Sequence, residues 1–231
     1  METWILYYYS IGFIFILAII LRIILASYNE PVTTKKKNLS ELYTGDLLFV
    51  RYDNSLGYFM RFWSNSPWTH VAMAYRAPDD KVYIMETANY NKSRGVLFMP
   101  LEKWQILNKN CDISVMHLFT PGNYDRNRLL ESFNKIKDKN LDTFGISWLR
   151  LLNKKPYKDL KNNENITCYE MIVFLLQDAG IARKDLSPSS YFPKNLIQGN
   201  LKLNDDFSFS KLKIFSHKEK SIKFKNGRLY D

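Results

Sequence analysis

Three patterns of hydrophobic and polar residues follow one another along the chain. An uncharged apolar run extends from Trp4 to Leu21, and its apolar character continues to Ala26. Over residues 46–119, short apolar segments alternate with turn residues, which is typical of β-strands. Later in the chain the apolar side chains recur at helical spacing. Strands followed by helices predict one α+β domain over residues 43–200.

The strand pattern predicts an antiparallel sheet or half-barrel of about five strands packed on helices. The predicted strands are Asp46–Arg51, Thr69–Tyr75, Lys81–Glu86, Val96–Met99 and Ile113–Phe119. The turn residues between the second and third strands predict that these two form a hairpin. Helices are predicted from Asp125 to about Lys139, over Thr143–Leu152, and from Cys168 to the stop at Gly180.

The N-terminal apolar run predicts a transmembrane helix over residues 1–28. Its ~23 apolar residues would extend about 34 Å as a helix, enough to cross the hydrocarbon core of a bilayer. Trp4 and Tyr7–Tyr9 lie at one end, where aromatic rings favour the membrane interface. A cleaved signal peptide is the alternative, but the first residues include Glu2 and no basic residue. We therefore expect an uncleaved anchor in a lipid bilayer.

Charge around this run predicts the orientation of the protein. Arg22 and Lys35–Lys37 all follow the apolar run, so the positive-inside rule places the following domain on the cytoplasmic side. Residues 29–42 are interpreted as a basic linker and residues 201–231 as a basic C-terminal tail. The expected localisation is a single-pass membrane protein, in a host or virion membrane if the chain is viral.

Composition narrows the class of protein. Hydrophobic residues make up 46% of the chain and aromatic residues 15%, which excludes a disordered chain. The net charge is +10, but basic residues are spread through the domain, so we do not expect nucleic-acid binding. Two cysteines do not make a disulfide framework, although the sequence alone does not exclude a single disulfide between them. No His/Cys group has zinc-site spacing, and we expect neither a metal nor another cofactor.

Cys168 occupies a position that favours thiol chemistry. Thr167 is an expected N-cap residue, and Glu170 three positions later completes a capping box. Cys168 is then the first helical residue, where unpaired backbone N–H groups and the helix dipole stabilise an anion. Such a setting lowers the pKa of a thiol and makes it nucleophilic. The alternative is a small buried hydrophobic residue.

A cysteine nucleophile requires a base, and His70 with Glu86 is the candidate pair. Glu86 interrupts an apolar strand on the face shared by Val82 and Ile84, where a carboxylate without a donor is costly. His70, on the neighbouring strand of the hairpin, is the natural donor, although a core histidine is the alternative. Cys168, His70 and Glu86 would then form a nucleophile, a base and an orienting carboxylate.

The other histidine and cysteine candidates have less support. His117 lies on a predicted strand with Val115 and Phe119 and has no acidic neighbour beyond Asp112. Cys111 precedes a strand and lacks a helix start. We interpret both as structural.

Five motifs in this order resemble the circularly permuted NlpC-like papain-fold family of cysteine hydrolases, which is related to the lecithin-retinol acyltransferase group. They are Gly45-Asp46, Trp68-Thr69-His70-Val71, Glu86, Gly95-Val96 and Thr167-Cys168-Tyr169-Glu170. The family has bacterial and large-DNA-virus members. The resemblance covers about residues 43–196 and implies a permuted papain-like fold.

The resemblance also implies roles for individual residues. Cys168 would be the nucleophile, His70 the base and Glu86 the orienting residue of a thiol hydrolase, peptidase, amidase or acyltransferase. Asp46, Trp68 and Tyr169 would contact a peptide, amide or lipid-ester substrate, although Asp46 also fits a structural role. The alternative is a catalytically silent, membrane-tethered binding or structural protein of a virion.

Overall fold

The structure is a computed structural model, and it describes residues 11–21, 39–64, 66–90, 93–141, 164–191 and 193–216. The helices are α1 (residues 11–21), α2 (Ser55–Ser64), α3 (Leu101–Leu107), α4 (Asn127–Asn134), α5 (Cys168–Asp178) and α6 (Pro193–Ile197). Short 3-10 turns cover Leu39–Glu41 and Pro188–Ser190.

Ten short strands complete the described secondary structure. They are β1 (Leu47–Arg51), β2 (His70–Arg76), β3 (Val82–Tyr90), β4 (Ser93–Pro100), β5 (Asp112–Met116), β6 (Leu118–Phe119), β7 (Asn140–Leu141), β8 (Asn165–Ile166), β9 (Ser208–Phe209) and β10 (Lys213–Ser216). Six of them form one sheet in the order β10-β5-β1-β2-β3-β4, and every neighbouring pair is antiparallel. The remaining four form two separate pairs, β6 with β9 and β7 with β8.

The expected N-terminal transmembrane helix is not supported. Within the described part of the chain, no helix is both long and apolar enough to cross a membrane. The part of helix α1 that the structure describes, residues 11–21, measures about 17 Å at 1.5 Å per residue, against about 30 Å for a bilayer core. The rest of the predicted anchor lies outside the described residues. The single-pass membrane localisation that depended on this helix is therefore not supported either.

The described residues form an α+β domain whose sheet has one more strand in it than the apolar pattern predicted. The sixth strand, β10, pairs with β5 and lies in the segment interpreted as a C-terminal tail. At the other end, Leu39 and Leu42 of the predicted linker are buried in the core. Both segments therefore contribute to the domain.

The sheet separates two hydrophobic layers. On one face, the odd-numbered residues Val71 and Met73 of β2 pack with helix α5, whose residues 168–177 are all buried. On the opposite face, the even-numbered residues Ala72 and Ala74 pack with α3 and its Trp104. The period of two along β2 accounts for this division, because successive side chains point to opposite faces.

Strands β2 and β3 stop pairing with each other next to the candidate site. The pairing of β2 with β3 ends at Met73 opposite Met85. Beyond this point β2 stays paired with β1 as far as His70, and β3 stays paired with β4 as far as Tyr90. Helix α5 packs against both strands. Helix α5 therefore packs on two strands that pair with each other along only part of their length.

Three helices were not predicted, and one predicted helix cannot be compared. Helix α2 lies in a segment for which no element was predicted, because its ten residues include a glycine and give only a short pattern. Helices α3 and α6 have seven and five residues, too few for a helical period to stand out. The helix predicted over Thr143–Leu152 lies outside the described residues.

Candidate active site

The start of α5 places Cys168 as its capping sequence predicts. Thr167 has an extended backbone and a side chain that accepts from the backbone N–H of Glu170, and the Glu170 carboxylate accepts from the backbone N–H of Thr167 at 2.9 Å. The Thr167 hydroxyl also donates to that carboxylate at 2.9 Å. This capping box is confirmed, and it makes Cys168 the first residue of the helix. The Cys168 thiol thus lies at the positive end of the helix dipole.

His70 and Glu86 form the buried pair that the hairpin predicted. The His70 Nε2 and Glu86 Oε2 atoms are 2.7 Å apart, and Glu86 is fully buried. Glu86 continues the even-numbered positions of β3, which face α3. The regular alternation of β2 does not extend to His70, because Thr69 rather than His70 donates its backbone N–H to the carbonyl oxygen of Val50, at 2.9 Å. The predicted contact is therefore confirmed, and it fixes which imidazole nitrogen faces the carboxylate.

Cys168 lies beside the same imidazole, since both its charge and its side-chain hydrogen bonding act on the pKa of His70. Because Nε2 is occupied by Glu86, the ring leaves Nδ1 for the thiol. A second contact anchors α5 there, since the Thr87 hydroxyl lies 3.3 Å from the Met171 sulfur.

The environment of His70 favours its charged form. Burial alone would lower the pKa of the imidazole, but the negative charge of Cys168, its hydrogen bond, and then Glu86 outweigh burial and raise the pKa of His70 to about 10. An imidazolium beside a cysteine at a helix N-terminus is the pairing found in activated cysteine nucleophiles. The three side chains are thus linked in the order Cys168, His70, Glu86.

Sequence reasoning missed a group of polar side chains on the far side of the imidazole. Tyr52 lies with its ring centre 6.0 Å from that of His70. Its hydroxyl donates to Asn108 Oδ1 at 3.2 Å, and Asn108 Nδ2 lies 3.0 Å from the Tyr90 hydroxyl oxygen. We call Tyr52, Tyr90 and Asn108 the phenol–amide cluster. Tyr90 could have been found by strand alternation, because it is four residues after Glu86 on the same face, whereas nothing in the sequence pattern singles out Asn108.

Trp68 and Tyr169, which we expected to contact substrate, are both buried in the layer that contains Cys168. The Trp68 ring packs on Phe49 with centroids 6.5 Å apart. Tyr169 follows Cys168 directly on α5 and is also buried. Tyr169 therefore adjoins the nucleophile along the chain, Trp68 shares its hydrophobic cluster, and the contact of either residue with a substrate stays a prediction.

Asp46 does not belong to this site, in contrast to its predicted role in substrate binding. Its carboxylate accepts from the backbone N–H groups of Tyr43 and Leu118 and lies 2.8 Å from His117 Nδ1. Along β1, Asp46 is four residues from Val50, the partner of His70, which separates the two ends by about 13 Å. Asp46 is a buried structural carboxylate, and it is the acidic partner that the sequence did not reveal for His117.

Cys111 provides an internal comparison for Cys168. Both cysteines are thiols and both are buried, with 9% and 6% of their surface exposed, respectively. Cys111 precedes β5 on the α3 side of the sheet and does not begin a helix. The chain therefore holds two thiols of similar burial, of which only Cys168 lies at a helix N-terminus beside His70.

Comparisons with known proteins add little to this geometry. No protein-family model matches the chain, and no curated protein matches it. Among solved structures, the fold is similar to that of the metalloprotein yiiX from Escherichia coli O157:H7, described as DUF1105, with a TM-score of 0.47 and 13% identity over 76% of this chain and 99% of that chain. This likeness is too low to transfer a function or a metal. Neither the thiol-protease nor the viral assignment finds support in these comparisons.

Proposed function

We propose that this protein is a thiol-dependent acyl-transfer enzyme, a hydrolase or an acyltransferase, that acts on an amide or ester carbonyl. The observation that supports this proposal most directly is the imidazole of His70, whose Nε2 atom lies 2.7 Å from Glu86 and whose pKa the neighbouring Cys168 raises against the effect of burial. A structural cysteine has no need of a charged imidazole partner.

In the proposed reaction, the Cys168 thiolate attacks the carbonyl carbon and forms a C–S bond. The carbonyl π electrons move to oxygen, and the backbone N–H of Cys168 at the helix N-terminus is the first candidate donor to this oxyanion. When the oxyanion collapses, the C–N or C–O bond breaks, and the His70 imidazolium gives its proton to the leaving amine or alkoxide. The product of this half-reaction is an acyl thioester on Cys168.

The second half-reaction releases the acyl group. Neutral His70 takes a proton from water or from an acceptor hydroxyl or amine, which attacks the thioester carbonyl. The C–S bond breaks, and Cys168 leaves as a thiolate beside the newly formed imidazolium. Glu86 keeps the ring oriented through both steps, because its carboxylate holds Nε2 at 2.7 Å.

We also propose membership of the circularly permuted NlpC-like family. In support, the histidine lies on β2, the acidic residue on β3 and the cysteine at the start of the later helix α5, which is the order of that family's motifs. The proposal predicts an amide or ester substrate but does not narrow the acyl group.

Acyl-enzyme trapping tests the proposed function. The full chain is mixed with p-nitrophenyl acetate, and we expect a burst of nitrophenol together with one acetyl group on the peptide that contains Cys168. Cys168→Ala should remove the burst, whereas Cys111→Ala should retain it. A wild-type protein that gives no burst and acquires no acetyl group on Cys168 would refute the proposal.

A catalytically silent binding module is the second candidate, and the burial of the site favours it. Both Cys168 and His70 expose only 6% of their surface, so a carbonyl compound has little access to the thiol. A silent module predicts no acyl-enzyme with p-nitrophenyl acetate and alkylation of Cys168 as slow as that of Cys111. The same two measurements therefore separate the two candidates.

A further inference from the structure

The buried amide of Asn108 fixes the direction of the hydrogen bonds in the phenol–amide cluster. Its Nδ2 atom lies 3.0 Å from the backbone carbonyl oxygen of Trp104, which can only accept, so this side of the amide must be the NH₂ group. The Oδ1 atom then faces the Tyr52 hydroxyl at 3.2 Å, and Tyr52 must be the donor.

Tyr90 has the opposite relationship to the same amide. Its hydroxyl oxygen lies 3.0 Å from Asn108 Nδ2, so the oxygen accepts. A phenol has one proton to donate, and in Tyr90 the bond to Asn108 does not use it. The two tyrosines therefore differ in function. Tyr52 directs its proton towards the amide and the neighbouring Tyr90 oxygen, whereas Tyr90 accepts from both and keeps its own proton for another acceptor.

Glu86 is the acceptor that needs this proton. Its Oε2 atom binds His70, whereas Oε1 is buried and receives no hydrogen bond from any residue that the structure describes. Glu86 and Tyr90 lie on the same strand, β3, and Tyr90 shares Asn108 with Tyr52, whose ring packs on His70, the partner of Glu86. In agreement with this placement, the pKa of the Tyr90 hydroxyl is raised first by burial and then by the negative charge of Glu86. A buried carboxylate oxygen without a donor costs free energy that a neighbouring hydroxyl can offset.

We propose that Tyr90 is a positioning residue of the triad, which donates its hydroxyl proton to the Glu86 carboxylate while Asn108 holds the phenol in the required direction. The inference rests on the proposed function, because it assigns Tyr90 a role in orienting the triad. Tyr90 acts through Glu86 and His70 on the thiol and does not itself contact the substrate. The raised pKa keeps Tyr90 protonated, and therefore able to donate, throughout the physiological pH range.

The matched variants Tyr90→Phe and Tyr52→Phe test this inference in the full chain. Each removes one buried hydroxyl that is bonded to the same amide. We expect Tyr90→Phe to slow the alkylation of Cys168 by iodoacetamide about fivefold, the effect of one hydrogen bond, and Tyr52→Phe to slow it much less. In a Glu86→Gln background, Tyr90→Phe should have no further effect on the rate, because the residue through which it acts has been changed.

A spectroscopic measurement separates positioning from a general loss of stability. The proton between His70 Nε2 and Glu86 should give a far-downfield imidazole resonance, which Glu86→Gln removes. Tyr90→Phe should move this resonance, and Tyr52→Phe should leave it in place. Equal effects of the two phenylalanine variants on the resonance and on the rate would overturn the inference, and so would a full effect of Tyr90→Phe in the Glu86→Gln background.

These measurements distinguish a failure of the role of Tyr90 from a failure of the proposed function. If wild-type Cys168 forms no acyl-enzyme but the resonance moves only in Tyr90→Phe, the proposed function fails and the positioning of Glu86 stands. If the acyl-enzyme forms and both phenylalanine variants behave alike, the proposed function stands and the role of Tyr90 is refuted.

Discussion

The Nε2 atom of His70 lies 2.7 Å from the Oε2 atom of Glu86, at the level where their strands have ceased to pair. The backbone pairing of β2 with β3 extends only to Met73 opposite Met85, so this side-chain contact joins the two strands beyond that point. Cys168, the first residue of α5, lies beside the same imidazole. The candidate triad therefore lies where the pairing of β2 with β3 ends.

The first prediction concerns the reactivity of the two thiols. At pH 7 we expect iodoacetamide to alkylate Cys168 at least ~10-fold faster than Cys111, because the imidazolium of His70 stabilises the thiolate. The two cysteines are buried to a similar degree, so Cys111 is an internal control for access. The rates are measured by peptide mass spectrometry after timed labelling. His70→Ala should slow Cys168 to the rate of Cys111, and equal rates in the wild-type protein would contradict the proposed activation.

The second prediction concerns the pH dependence of His70. Its pKa is raised from 6.5 to about 10, so the charged ring persists through neutral pH and is lost as the pH rises through about 10. Acylation that needs the imidazolium as an acid should therefore decline above that pH. Cys168→Ala removes the largest cause that raises the pKa, so we expect it to move downward in that variant.

Histidine NMR titration measures this pKa directly. The sequence holds three histidines, and the His70 resonance is assigned by its absence in His70→Asn. If His70 in the wild-type protein titrated near pH 6.5, or if its titration were unaffected by Cys168→Ala, the thiol and the imidazole would not interact.

The third prediction separates Asp46 from the site. Asp46→Ala leaves the buried backbone N–H of Leu118 and the partly buried backbone N–H of Tyr43 without their acceptor, and it removes the partner of His117 Nδ1. We expect the free energy of unfolding in urea to fall by about 2–4 kcal/mol. The folded variant should alkylate Cys168 at the wild-type rate. A large loss of Cys168 reactivity at unchanged stability would restore Asp46 to the substrate-binding role that the Gly-Asp motif suggested.

Patterns among residues that are close in sequence predicted more of this structure than could be predicted about contacts between residues distant in sequence. The capping box at Thr167 and the hairpin that joins His70 to Glu86 depend on residues that are close in sequence, and both are confirmed. The pairing of Asp46 with His117 joins residues 71 positions apart, and no local pattern encodes it. Asn108 was missed for a similar reason, since its partners come from β3, α3 and the loop after β1.

The N-terminal run shows the opposite error, in which a strong local signal led to a wrong prediction. Hydropathy alone favours a membrane span wherever about 20 apolar residues follow one another. A span also requires a continuous helix of that length, and no helix among the described residues meets this condition. Hydropathy therefore predicted a transmembrane anchor over residues 1–28 that the described residues do not support.

The last prediction concerns the start of α5, on which the position of the thiol depends. Thr167→Ala removes the side-chain acceptor for the Glu170 N–H and the hydroxyl that donates to the Glu170 carboxylate. Loss of an N-cap of this kind costs about 1 kcal/mol, which corresponds to a fall in Tm of about 2–4 °C for a domain of this size. Because fraying of the first turn also displaces Cys168 from His70, we expect its alkylation to slow as well.

Thr167→Ser is the matched control for this variant, because serine keeps the hydroxyl oxygen and loses only a methyl group. It should retain both the Tm, measured by thermal unfolding, and the alkylation rate of Cys168. Fraying at the start of α5 would weaken the contact with His70 without removing the imidazole, so the loss of reactivity in Thr167→Ala should be smaller than in His70→Ala. If Thr167→Ala melted and reacted like the wild-type protein, the capping box would not be what holds the thiol beside His70.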